Sequence, residues 1–82
     1  MQQSNPTWSL NDEKLSKNFA FPDFKSALVF VNRVGEIAEE LGHHPEIYFT
    51  YGKVTITTTT HDAGNKITAK DEVLIKQIDL IE

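Results

Sequence analysis

Three histidines carry most of the chemistry open to this sequence: the adjacent His43 and His44, and His61. Imidazole exchanges a proton near neutrality without a large perturbation, so histidines gathered around one pocket suit a reaction that needs both an acid and a base. The competing reading makes His43-His44 a polar exit from an element and His61 an exposed strand end. Local detail favours chemistry. Glu39 and Glu40 fall in the last turn of a predicted helix, where the macrodipole disfavours carboxylates, as expected where a site overrides local preference; taken alone, they read more simply as good helix formers that solvate an exposed end. Pro45 biases His44 towards extended backbone and fixes the direction in which the chain leaves. Three histidines can also hold zinc with one position open. However, the sequence has no His-x-His or His-x-x-x-His pair, and adjacent histidines on extended backbone tend to point apart, so no metal site is expected.

Other chemistries find little support. Without cysteine there is no thiolate nucleophile, thiolate metal site or disulfide. The glycines, at 35, 42, 52 and 64, are scattered and form no phosphate-binding loop, and no serine lies in a nucleophile-elbow pattern. Eight Lys and Arg against twelve Asp and Glu give a formal charge of −4, which argues against a nucleic-acid partner. The longest apolar run, Ala27 to Val31, is far too short for a membrane span, so no membrane partner is expected. The start, Met1 to Pro6, is polar and uncharged, unlike a signal peptide, and a soluble, cytoplasmic protein is expected.

The elements that must position the histidines can be read from periodicity. At 82 residues there is room for one core, and a single domain over 1–82 is expected. Trp8-Ser9-Leu10, a turn at Asn11-Asp12, and Leu15, Lys17, Phe19 and Phe21 at alternate positions predict a hairpin. Asp23 is placed to cap a helix beginning at Phe24, whose stripe Phe24, Leu28, Val31, Val34, Ala38 and Leu41 ends at Gly42. Gly35, inside that helix, suggests close packing. A second hairpin follows, with Ile47, Phe49 and Tyr51 on one strand, a turn at Gly52-Lys53, and Val54, Ile56, Thr58 and Thr60 on the next. The run Thr57 to Thr60 is β-branched and belongs to that strand. Thr68 and Asp71 have capping-box spacing before a last helix with Val73, Leu74, Ile78 and Ile81. The order β-β-α-β-β-α predicts an α+β fold: a four-stranded antiparallel sheet with both helices packed on one face.

Glu39-x-x-x-His43-His44-Pro45-Glu46, Tyr51-x-Lys53-Val54-x-Ile56 and Thr60-His61-Asp62-Ala63-Gly64 together resemble the pterin-4a-carbinolamine dehydratases, from about Trp8 to the C-terminus. The resemblance implies dehydration of a 4a-hydroxytetrahydropterin substrate to quinonoid dihydropterin and water, in tetrahydrobiopterin recycling, without metal or organic cofactor. It implies that His43 and His61 are the acid–base pair and that His44 binds and orients the pterin. Glu39, Trp8 and Asp71 would contribute to substrate binding, Trp8 as a pocket aromatic. It also implies a homodimer or homotetramer, which agrees with the small core. Against the family pattern, almost nothing precedes Trp8 where many relatives have a helix. Gly42 replaces an acidic residue, and the Gly64-Asn65-Lys66-Ile67 loop is one residue longer than usual. Animal members also act as dimerisation cofactors for a homeodomain transcription factor, so the alternative is a non-catalytic protein-binding module of the same fold. The complete histidine set favours the enzyme.

Overall fold

A computed structural model describes residues 8–81. Four strands and two helices follow in the order β1 (Ser9–Asn11), β2 (Lys14–Ala20), α1 (Phe24–Leu41), β3 (Glu46–Thr50), β4 (Lys53–Thr58) and α2 (Ala69–Ile81). The strands form one antiparallel sheet in the order β1-β2-β4-β3. Alternation decides its faces. Phe19, Val54 and Ile56 point inward against Ala27, Phe30 and Val34 of α1 and Leu74 and Ile78 of α2, and all are buried. The opposite face carries the cross-strand pairs Asn18–Thr55 and Ser16–Thr57, joined by side-chain hydrogen bonds of 2.6 and 3.0 Å. The α+β order and the two-layer arrangement are those expected from the sequence.

The start of α1 is fixed by Asp23, whose carboxylate accepts the Ser26 amide hydrogen at 2.8 Å. Its end is Gly42, at φ 65°, whose amide bonds the Ala38 carbonyl. Left-handed backbone at a helix end is adopted most easily by a residue without a side chain.

Several local expectations shift. The buried face of α1 is Ala27, Phe30, Val34 and Ala38, whereas Phe24, Leu28 and Leu41 are partly exposed. The helix is turned so that Phe30 stands between the Phe19 and Phe21 rings, 4.7 and 5.1 Å away, and Phe24 instead stacks on Phe49. Val73 of α2 is likewise exposed. A Cβ at Gly35 would meet nothing within 4 Å, so close packing does not explain that glycine. The turns fall at Asp12-Glu13 and Tyr51-Gly52, each one residue from its expected place. Gly52 is required by proximity: a Cβ there would lie 2.9 Å from the Phe21 carbonyl oxygen, while Phe21 donates its amide hydrogen to the Gly52 carbonyl.

Candidate active site

The right-handed turn of α1 and the inward face of β4 bring the first two parts of the site together. Gly42 reverses the chain at the end of α1, and His43 donates its backbone N–H to Ala38, so its side chain falls under the start of α2. There Asp71, fully buried, stands in the first turn of α2. The His43 Nε2–H donates to Asp71 Oδ1 at 2.7 Å, with the ring 12% exposed. Thr58, the last residue of β4, donates its hydroxyl to the same oxygen at 2.6 Å, and its Oγ1 lies 3.4 Å from His43 Nε2. Asp71 Oδ2 accepts from the Thr60 hydroxyl at 2.6 Å and from the Thr68 amide at 3.0 Å. The Thr68 contact is the carboxylate half of the expected capping box.

Burial pushes the Asp71 carboxyl upward. The hydrogen bonds from Thr58, Thr60 and His43 and from the Thr68 backbone outweigh it and lower it to about 2. Asp71 is therefore ionised at neutral pH and can only accept. That fixes the proton directions around it. Each threonine hydroxyl donates to the carboxylate, Thr68 Oγ1 donates onward to Thr60 Oγ1 at 2.7 Å, and the His43 ring is held with Nε2 protonated. Neutral His43 consequently carries its lone pair on Nδ1. A carboxylate that orients an imidazole and sets its tautomer is a recurring support for a general base.

His61 begins a short 3-10 turn after β4, His61–Ala63, and donates its Nδ1–H to Asn65 Oδ1 at 2.7 Å. This leaves Nε2 as its outward nitrogen. Asn65 holds the contact from left-handed backbone, at φ 61°, in the loop that returns to pair Thr60 with Lys66. His44 donates its Nε2–H to Glu39 Oε2 at 2.5 Å, and both side chains are well exposed. His43, His44 and His61 border one cleft of about 230 Å³, together with Thr60, Asp62 and Lys70. A wider open groove of about 1100 Å³ lies between α1 and β3, with Glu39 and His44 on its rim. The smaller cleft is the better candidate, because it alone of these two gathers all three imidazoles.

The three histidines therefore border one cleft, Glu39 reaches it through His44, and Asp71, buried behind His43, reaches it through that ring and does not line it. Trp8 stands elsewhere. Its indole N–H donates to Asp79 at 3.2 Å, and its ring packs edge-on against Phe19. Asp79 is two turns along α2 from Asp71, roughly 12 Å. Trp8 does not line the cleft with the histidines. Asp79 also takes Lys17, an inward residue of β2 whose Nζ donates at 3.0 Å. Sequence reasoning missed Thr58 and Thr60 as partners of Asp71, Asn65 as partner of His61, and Lys70 as a lining residue. Among the described residues no group of three or more His, Asp or Glu is placed to hold a metal ion, and no helix is long and apolar enough to cross a membrane.

Known proteins resemble the chain over almost its whole length. The family profile described as Pterin 4 alpha carbinolamine dehydratase matches residues 1–81. A protein of Sulfurisphaera tokodaii, provisionally named pterin-4-alpha-carbinolamine dehydratase, is 47% identical over 72 residues, which is 88% of this chain and 76% of that protein. The crystal structure of a transcriptional coactivator/pterin dehydratase from Brucella melitensis superposes with a TM-score of 0.84 at 33% identity, over 90% of this chain and 80% of that one. A pterin dehydratase-like protein, identified as a RuBisCO assembly factor in the alpha-carboxysome, shares the fold. Its TM-score is 0.78 at 23% identity, over 92% of this chain and 88% of that one.

Proposed function

The chain belongs to the pterin-4α-carbinolamine dehydratase family, and from that premise we propose that it converts 4a-hydroxytetrahydropterin to quinonoid dihydropterin and water in the cytoplasm. The observation that carries this reading is the Asp71-backed His43 on a cleft shared with His44 and His61.

The reaction breaks the C4a–O bond and the N5–H bond. The hydroxyl leaves as water once it is protonated, and the electron pair released from N5–H becomes the C4a=N5 bond. His43 is the base, because its Nε2–H is committed to Asp71 and neutral imidazole offers Nδ1 to the N5 proton. His61 is the acid. Its Nδ1–H is committed to Asn65, so in the charged ring the proton on Nε2 is the one given to the departing hydroxyl. One imidazole gains a proton and the other loses one, and exchange with solvent restores both. His44, steadied by Glu39, binds and orients the pterin at the mouth of the cleft. Copies pair sheet edge to sheet edge into dimers, for which β3 is an open edge, and dimers join into tetramers through their helices.

The test is the decay of 4a-hydroxytetrahydropterin at neutral pH, with and without a chelator. Acceleration that survives the chelator supports acid–base catalysis by these side chains. The absence of acceleration refutes the proposal. The open edge of β3, with Ile47 and Tyr48 exposed, favours a second reading in which the fold serves as a protein-binding module. A pure binding module would lose no function when His43 and His61 are replaced together.

A further inference from the structure

β4 points Val54, Ile56 and Thr58 into the core at alternate positions, all essentially inaccessible. The first two are apolar, as packing requires. The third carries a hydroxyl where valine would give the same shape and the same strand preference. A buried hydroxyl is disfavoured unless it is bonded, and the bond that Thr58 makes is specific: it donates to Asp71 Oδ1 at 2.6 Å. That oxygen is the one receiving the His43 Nε2–H at 2.7 Å, and Thr58 Oγ1 closes the triangle at 3.4 Å from Nε2. The other carboxylate oxygen is occupied separately, by Thr60 and the Thr68 amide on the helix-cap side. The two oxygens of Asp71 thus have different duties, and each has its own threonine.

We propose that Thr58 is a positioning residue for His43: its hydroxyl fixes the Asp71 oxygen that holds the ring's Nε2–H, and so keeps Nδ1 as the atom that takes the substrate proton. This rests on the reading of His43 as the base. The Thr58 donor does two things. It resists rotation of the carboxylate, which would carry Oδ1 out of the imidazole plane. It also draws negative charge from Oδ1, and so sets how strongly that oxygen pulls on the ring's Nε2–H. The charged and titratable groups around His43 are Asp71 and Lys70 from α2, His44 from its own segment, and His61 and Asp62 from the turn after β4. Thr58 acts on the one that bonds the ring.

The experiment compares the wild-type protein with Thr58→Val and Thr58→Ser, by dehydratase assay across pH and by NMR of the ¹⁵N-labelled histidines. In the valine variant the acid limb of kcat/KM is expected to move up by about half a pH unit or more. There kcat falls about tenfold at neutral pH with KM little changed, as for loss of one charge-assisted hydrogen bond. The His43 signals shift in parallel with the limb, and serine restores both. A purely structural threonine would lower stability and leave the limb and the His43 signals where they were; that result overturns the proposal, as does failure of serine to restore them. Wild-type His43 protonated on Nδ1 in its neutral form also overturns it, even if the valine variant does not fold. If the wild type does not accelerate dehydration, the dehydratase reading fails, while the His43 signals still decide whether Thr58 governs the ring.

Discussion

Replacing Asp71 by asparagine tests the centre of the site. The side chain keeps its shape but exchanges one acceptor oxygen for an N–H₂ group. Two donors converge on each oxygen of Asp71: Thr58 and His43 on Oδ1, Thr60 and the Thr68 amide on Oδ2. If the amide nitrogen faces His43, the ring must accept at Nε2 and carry its proton on Nδ1, the wrong tautomer for a base. If it faces Thr68, the cap of α2 loses its carboxylate and two buried donors lose their acceptor. The stability lost is set by the carboxyl, lowered from 3.8 to about 2 in the folded protein. A depressed acid stabilises the fold fully above its unfolded value, by about 2 kcal/mol here, and that contribution fades as pH falls through the folded value. The wild type should therefore lose about 2 kcal/mol from this group between roughly pH 5 and pH 2, and Asp71→Asn should lack that dependence while being less stable at pH 7. Urea unfolding at pH 7 and pH 3 measures both effects. Dehydratase kcat should fall by about 10²- to 10⁴-fold. An Asp71→Asn protein with unchanged kcat, or a wild type whose advantage over it survives undiminished below pH 3, would refute the reasoning.

The remaining expectations are simpler to state. His43→Ala and His61→Ala should each lower dehydratase turnover at least about a hundredfold, the scale of one acid–base group; full activity in the double variant removes the catalytic assignment. Gly52→Ala should cost about 1–3 kcal/mol, because its Cβ would lie 2.9 Å from a backbone oxygen that cannot easily yield; a denaturation midpoint equal to wild type would show that the β3–β4 turn gives way. If copies assemble through the β3 edge, the melting temperature should rise with protein concentration. A monomer by ultracentrifugation at micromolar concentration, with a fixed melting temperature, speaks against assembly.

What was legible in the chain was mostly local. Asp23 and Gly42 bound α1 through contacts within a few residues, and the alternation of β2 and β4 marked both strands and their inward faces. The rotation of α1 was not legible, since the choice of Ala27 and Phe30 over Phe24 and Leu28 depends on the rings of Phe19 and Phe21 across the core. Lys17 could be placed on the inward side of β2. Its burial, however, depends on Trp8 and Asp79, which come from opposite ends of the sequence. In the site, the histidines declare themselves by residue type and Asp71 by its spacing from Thr68. Thr58 and Thr60 stay hidden inside a run of threonines that strand propensity explains by itself. Only their phase with Val54 and Ile56 hints at an inward hydroxyl, and its partner is thirteen residues away for Thr58.

The double use of Asp71 bears on how descendants of this protein should be read. A lineage that abandoned catalysis and kept the scaffold for another task would still be under selection to keep that aspartate, because α2 begins on it. Its survival in a relative says little about whether the relative is an enzyme. His61 is different: it is exposed, and among the described residues its side chain bonds Asn65, four residues on in the same loop. If the dehydratase proposal holds, a relative that no longer dehydrates pterins loses little stability with that histidine and much with the aspartate. The histidine after β4 is then the more telling of the two for activity, and the aspartate the more telling for the fold.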